Sequence, residues 1–197
     1  RDADLQRIQQ ATDLPLNLEM AATDEMLQIA LAHAPHAACI VPEKRDERTT
    51  EGGLDVAGQH NFIAPFVREL TDAGIRVSLF VDPEAEQIDA AKSAGAPVIE
   101  IHTGAYYEAT LKTEPALYKA ELEKIRAAAV LADSIGLEVH AGHGLTFLNV
   151  QPVAAIPQIV ELNIGHFLIG ESVFMGLAEA VKEMKRPMQD ARTGGLY

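Results

Sequence analysis

The sequence has almost no cysteine, no tryptophan and few basic residues. Among 197 residues there is one cysteine, Cys39, and 29 Asp and Glu outnumber 16 Lys and Arg, for a formal net charge of −13. A single cysteine excludes a disulfide framework and predicts a reducing, cytoplasmic compartment. Nucleic acid is a poor partner for so acidic a chain, because phosphate backbones are bound by basic surfaces. No apolar run is long enough to cross a membrane, so we expect no membrane partner either.

Two glycine–histidine pairs, His143-Gly144 and Gly165-His166, each follow an apolar segment late in the sequence. Glycine at a turn lets backbone N–H groups approach a ligand closely, and the N-terminus of a following helix favours negative charge. Histidine can give or take a proton near neutral pH. The two pairs together predict a phosphate pocket with acid–base chemistry beside it.

Short apolar segments alternate with helical patterns throughout the sequence. The predicted strands are 16–20, 37–41, 76–81, 98–102, 137–141 and 162–164. The predicted helices are 4–11, 23–34, 62–73, 83–94, 115–135, 152–158 and 173–191. Gly74, Gly95 and Gly136 each follow an apolar helical pattern, where a left-handed residue that ends the helix is expected.

Repeated β–α units leave two architectures open, a doubly wound sheet or a closed barrel. A doubly wound sheet normally carries Gly-x-Gly-x-x-Gly in its first turn, and this sequence does not. Here the glycines follow the last two strands, where barrels place their phosphate site. We therefore predict an α/β fold, a TIM (β/α)8 barrel with six strands visible in one domain over residues 1–197. The chain begins at Arg1, and we expect two further strands to precede it in a longer natural protein.

Ionisable residues lie at or near the ends of the predicted strands, among them Glu19, Glu100 and His143. A charged group in an apolar strand is costly to desolvate unless it is paired or faces a polar cavity. One such residue is readily explained as a structural ion pair, but the whole set predicts an active site. Metal binding by these histidines and carboxylates is the competing interpretation, and we expect no metal.

Residues 42–58 form a polar stretch, PEKRDERTTEGGLDVAG, between a predicted strand and the next helix. Ordinary βα loops have about 2–6 residues. A longer polar loop with paired glycines is typical of a lid that excludes water from a reaction. The alternative is a surface insertion without a function.

Five ordered blocks of this sequence resemble the pyridoxine 5′-phosphate synthase family of vitamin B6 synthesis. They are NLEMA at 17–21, VPEKR at 41–45 with TTEGGLDV at 49–56, IEIHTG at 99–104, AGHGL at 141–145 and NIGH at 163–166. The resemblance implies a barrel enzyme that joins 1-deoxy-D-xylulose 5-phosphate to 3-amino-2-oxopropyl phosphate. It implies no cofactor, no required metal and a homo-oligomer, in the family a homo-octamer.

The same resemblance implies a role for individual residues. Glu19 matches a carboxylate general base, His143 a proton donor, and Glu100 a carboxylate that stabilises charge in the transition state. Thr49 matches a contact to the deoxyxylulose phosphate, while Gly144, Gly165 and His166 match the residues that bind the amino-ketone phosphate. Family members also carry a second catalytic histidine in segments that would precede Arg1.

Two other functions stay open from the residues alone. One is another phosphate-binding barrel enzyme, an epimerase or a lyase, and the other is a barrel that binds phosphate without catalysis. An aldolase that forms a Schiff base is disfavoured, because it needs a lysine in the barrel interior and the six predicted strands contain none.

Overall fold

The computed structural model describes residues 2–42, 52–112 and 114–193. The strands are β1 Asn17–Ala21, β2 Ala37–Val41, β3 Arg76–Val81, β4 Val98–His102, β5 Glu138–Gly142 and β6 Ile159–Asn163. The helices are α1 Asp2–Ala11, α2 Asp24–His33, α3 His60–Asp72, α4 Ala85–Ser93, α5 Gly104–Leu111, α6 Pro115–Ser134, α7 Val150–Ala154, α8 His166–Met175 and α9 Leu177–Thr193. Among them, no helix is long and apolar enough to span a bilayer.

The six strands form one parallel sheet whose spatial order is the order of the chain, β1-β2-β3-β4-β5-β6. A doubly wound sheet reverses its strand order at a switch point, and this sheet does not. Sequential parallel strands joined by helical crossovers are the arrangement of a (β/α)8 barrel, because right-handed crossovers then place every helix on the same side. The predicted α/β barrel class is confirmed, and the structure is consistent with part of such a barrel.

The core lies between one face of the sheet and the helices. Alternate strand residues such as Ile40, Leu79 and Ile99 are fully buried there and pack with helix residues such as Ile63 and Ile125. The intervening residues point to the opposite face, since strand side chains alternate. That opposite face carries polar groups, and these build the cavity described below.

The ends of several helices follow the sequence signals. The Thr23 side chain caps α2 by accepting a hydrogen bond from the Met26 N–H at 3.2 Å. Gly74, Gly95 and Gly136 have φ values of +80°, +88° and +77°, so the predicted left-handed ends are confirmed. Glycine adopts this conformation without the strain that a Cβ would add.

Three strands, β2, β3 and β4, have the predicted bounds, β1 and β5 are each shifted by one residue, and the larger differences lie later in the chain. β6 begins at Ile159 rather than at residue 162. The predicted helix 173–191 is two helices, because Gly176 with φ +84° ends α8 and α9 starts after it. Neither α5 nor the first turns of α8 were predicted. The apolar residues of these helices are distributed around the helix axis and give no one-sided pattern.

Candidate active site

A cavity of about 440 Å³ lies at the carboxyl ends of the strands, on the sheet face away from the helices. It is lined by Glu19, Val41, Phe80, Glu100, Tyr107, His143, Gly144, Leu145, Thr146, Asn163, Ile164, Gly165, His166 and Phe167. Six of the predicted site residues therefore lie together around one space: Glu19, Glu100, His143, Gly144, Gly165 and His166. The seventh, Thr49, lies outside the described residues, as does most of the predicted lid.

Two carboxyl groups, Glu19 and Glu100, share the cavity and differ in environment. Burial raises the pKa of Glu19 above its ordinary value. Glu100 is only 3% exposed, and burial, then the negative charge of Glu19, raises its pKa to about 7. Two nearby carboxyl groups titrate as a coupled pair, and here Glu100 holds its proton at higher pH. The cavity therefore holds two carboxyl groups whose pKa values are both raised, and that of Glu100 lies at about 7.

Side chains from β2 and β6, each two strands away from β4, fix the Glu100 side chain. The Asn163 amide Nδ2 donates to Glu100 Oε2 at 2.7 Å, and the Cys39 thiol donates to the same oxygen at 3.6 Å. Burial raises the pKa of the Cys39 thiol, which keeps its proton available for that contact. Asn163 and Cys39 were not predicted as site residues. Their signal is a polar side chain at an inward strand position, which can be recognised only once the strands are aligned.

His143 and Gly144 form a turn with two successive left-handed residues, at φ +78° and +73°. A left-handed φ is uncommon for any residue other than glycine, although histidine, asparagine and aspartate tolerate it better than most. Such conformations cluster at functional sites, where surrounding contacts hold them. Burial lowers the pKa of His143, and electrostatic interactions with His102 and then His166 lower it further.

Asn149 shapes the turn that continues from Gly144. Its Oδ1 accepts a hydrogen bond from the Thr146 N–H at 2.6 Å, and its Nδ2 donates to the Gly144 carbonyl at 3.2 Å. The Tyr106 hydroxyl donates to the Asn149 carbonyl at 2.8 Å from α5. This turn is therefore held by side chains from both sides of the loop.

The second glycine–histidine turn, Gly165-His166, begins α8. Gly165 is the N-cap residue and, having no side chain, makes no capping hydrogen bond to the first turn. The first turn holds no acidic residue, and a Cβ at Gly165 would meet nothing within 4 Å. An uncapped helix N-terminus with open space beside it favours an anion. Both predicted anion-binding turns therefore border the same cavity.

Metal ligands are not grouped in the described part of the chain. Among residues 2–42, 52–112 and 114–193, no three or more His, Cys, Asp or Glu side chains are placed to hold a metal ion. His140, one of the histidines considered for a metal, is buried and its Nε2 lies 2.8 Å from Glu138 Oε1.

Fold and site define a barrel-type α/β protein with ionisable groups and two anion-favouring turns around one cavity. A family model described as "Pyridoxal phosphate biosynthesis protein PdxJ" matches residues 1–190. The chain belongs to this family, whose members are enzymes of vitamin B6 synthesis.

Several relatives are pyridoxine 5′-phosphate synthases by name. One from Jannaschia sp. is 58% identical over 192 residues, which are 98% of this chain and 77% of that protein. One from Rhodospirillum rubrum is 58% identical over 195 residues, 99% of this chain and 77% of that protein. One from Zymomonas mobilis is 58% identical over 191 residues, 97% of this chain and 73% of that protein.

Solved structures of other barrels share the fold at low identity. The tryptophan synthase A-subunit from Pyrococcus furiosus is 14% identical with a TM-score of 0.59, over 98% of this chain and 72% of that one. The citrate synthase SbnG is 12% identical with a TM-score of 0.53, over 95% of this chain and 78% of that one. At such identities the likeness shows the fold alone.

Proposed function

We propose that this chain forms the active site for joining 1-deoxy-D-xylulose 5-phosphate to 3-amino-2-oxopropyl phosphate, which gives pyridoxine 5′-phosphate, phosphate and water. Membership of the PdxJ family supports the reaction. The observation that carries the chemistry is the shared cavity, where Glu19, Glu100 and His143 face the two glycine–histidine turns. Both substrates are small phosphorylated molecules, which suits a cavity of about 440 Å³.

The condensation requires an imine, loss of water, elimination of phosphate and ring closure. The six described strands contain no lysine, so the amine of the substrate supplies the imine. The protein then moves protons beside carbonyl and imine carbons. In its ionised form Glu19 removes protons from carbon, and His143 protonates departing oxygen.

Glu100 has a different task from Glu19. With a pKa of about 7 it is about half protonated at neutral pH, and in the protonated form it can donate a hydrogen bond to an oxygen that gains negative charge. Its contacts to Asn163 and Cys39 hold it in place before the reaction begins. Pairs of carboxyl groups with separated pKa values commonly divide acid and base roles in this way.

The phosphate of the amino-ketone is proposed to lie between Gly144 and the Gly165-His166 turn. Both turns line the cavity, and α8 directs its uncapped N-terminus toward it. Thr49 stays a predicted contact to the other phosphate. No cofactor or metal enters the proposed steps, and a cytoplasmic location also stays a prediction.

Two statements, one on domain organisation and one on assembly, stay predictions, and each has an observation in its support. That residues 1–197 form one domain is supported by a core that includes residues from all six described strands. Homo-oligomerisation, to an octamer as in the family, is supported by exposed apolar side chains on α8, where Val173 is 79% and Phe174 85% exposed.

Product analysis tests the proposal. Purified protein containing this chain, incubated with the two substrates, should form pyridoxine 5′-phosphate and inorganic phosphate in equal amounts. Epimerisation of ribulose 5-phosphate in place of this reaction would favour the other barrel enzymes. A thermal shift with inorganic phosphate but no product from any of these substrates would favour a non-catalytic barrel.

Gly142→Ala should lower turnover by about tenfold through displacement of Glu100. A Cβ at this position would lie 2.2 Å from Glu100 Oε1 and 2.8 Å from the Asn163 carbonyl oxygen, so the carboxyl group must move. The matched control is Gly170→Ala on α8, where a Cβ meets nothing within 4 Å. Steady-state kinetics on both folded variants make the comparison. Equal turnover in the two would show that the position of Glu100 does not matter.

A further inference from the structure

The end of β4 contacts His143 through a second histidine. His102 is 7% exposed, and its ring lies between those of Phe80 and His143, with centroid distances of 5.0 Å to each. The His102 and His143 rings meet edge to face, at an interplanar angle of 64°. Contact on both sides restricts the His102 ring, and that ring in turn limits where the His143 ring can lie.

Asp82, just after β3, holds the other edge of His102. Its Oδ1 lies 2.9 Å from His102 Nδ1. This hydrogen bond, with a smaller contribution from the Gly53 backbone N–H, lowers the pKa of Asp82 against the effect of burial. An ionised carboxylate can only accept a hydrogen bond, so Nδ1 of His102 carries a proton. His102 is therefore fixed in both orientation and tautomer.

The remaining ring nitrogen of His102, Nε2, is buried and has no hydrogen-bond partner among residues 2–42, 52–112 and 114–193. A Cβ at Gly104 would lie 2.4 Å from it, so the backbone of α5 packs directly against the ring. A buried nitrogen without a partner is costly in a residue that serves packing alone. His140 Nδ1 is likewise buried without a hydrogen-bond partner among those residues, so it is the ring contact with His143, and not the unpartnered nitrogen alone, that distinguishes His102.

Thr103, the next residue, holds the backbone of the same turn. Its N–H donates to the Gly142 carbonyl at 2.9 Å, and its hydroxyl shares a proton between the carbonyls of Gly142 and His143. These two carbonyls flank the left-handed φ of His143. Thr103 therefore stabilises a backbone conformation that a residue other than glycine adopts only at a cost.

We propose that His102 and Thr103 are positioning residues for His143, with Asp82 fixing His102. His102 orients the ring and Thr103 orients the backbone, so that the imidazole faces the cavity. The inference rests on the proposed role of His143 as the proton donor. Neither His102 nor Thr103 lines the cavity, so both act through His143 rather than on substrate.

A second buried histidine–carboxylate pair supplies the control. His140 on β5 is buried and contacts Glu138 at 2.8 Å, on the same sheet face as His102. Glu138 begins β5 at the amino ends of the strands, and neither residue lines the cavity. Glu138→Gln therefore perturbs a similar pair without touching the His143 turn.

The test compares Thr103→Val, Thr103→Ser, His102→Gln and Glu138→Gln in the full-length protein. Thr103→Val and His102→Gln should each lower kcat by about tenfold with KM nearly unchanged, because the phosphate turns stay intact. Thr103→Ser keeps the hydroxyl and should restore kcat. Glu138→Gln should leave kcat unchanged. Loss of kcat in Glu138→Gln equal to that in His102→Gln would overturn the inference, since any buried pair would then matter.

NMR titration of the His143 imidazole gives a readout that needs no turnover. Asp82 accepts the hydrogen bond from His102, and His166 acts electrostatically on His143. The electrostatic interaction with His102 lowers the pKa of His143, so His102→Gln should raise that pKa, whereas Glu138→Gln should not move it. If the protein makes no product but this shift appears, the proposed reaction fails and the positioning contact stands. If wild type makes product while both His102→Gln and Thr103→Val match it in kcat and titration, the positioning inference is wrong. Should Thr103→Val fail to fold, His102→Gln decides.

Discussion

Glu19→Gln should lower turnover by roughly 10²-fold or more while both substrates still bind, because glutamine keeps the shape of the side chain but cannot accept a proton from carbon. The proposed phosphate contacts lie elsewhere in the cavity, at the Gly144 and Gly165 turns. The loss of activity should therefore appear as a lower kcat with KM unchanged. Steady-state kinetics and calorimetric titration with each substrate measure the two effects.

Glu138→Gln is the control for Glu19→Gln, because it removes a carboxylate from the same sheet face outside the cavity. It should retain normal kcat. The Glu19 variant should also show a lower pKa for Glu100, since the charge of Glu19 contributes to raising it. Near-normal turnover of Glu19→Gln would remove Glu19 from the base role, whatever the titration of Glu100 shows.

The barrel class could be predicted because each β–α unit is recognisable from short stretches of the sequence. β2, β3 and β4 are short apolar runs, and α3, α4 and α6 each lead to a glycine with positive φ, at Gly74, Gly95 and Gly136. Such signals depend on a few neighbouring residues. By contrast, α5 and α8 carry no one-sided apolar pattern, so the local sequence does not mark where they start.

Some residues of the candidate site are likewise recognisable in the sequence, whereas others are recognisable only from the folded structure. Glu19 and Glu100 are recognisable as charged residues within apolar strands, and the two glycine–histidine turns as breaks after such strands. Asn163 and Cys39 become meaningful only through the register that brings β6 and β2 toward β4. Thr103 likewise acts across to the next strand, on carbonyls of Gly142 and His143. A linear sequence does not display these cross-strand contacts.

Glu100 should also control how the stability of the fold depends on pH. Its pKa is about 7 in the folded protein against an ordinary 4.5, so the folded state binds the proton more tightly than the unfolded chain. The stabilisation is fully present below pH 4.5, is lost as pH rises toward 7, and stays lost above it. At about 1.36 kcal/mol per pKa unit, the loss in free energy of unfolding is roughly 3 kcal/mol.

Glu100→Gln removes this titration, so the variant should be more stable than wild type above neutral pH and should lose less stability between about pH 5 and pH 8. Urea unfolding of both proteins across that range measures the difference. Glu138→Gln is the control of opposite sign. Hydrogen bonds from Arg76 and His140 lower the pKa of Glu138, so its ionised carboxylate stabilises the folded protein at neutral pH. The Glu138→Gln variant should lose this stabilisation there. Parallel stability curves for wild type and Glu100→Gln would mean that Glu100 is ionised throughout, and the division of acid and base roles between Glu100 and Glu19 would then be wrong.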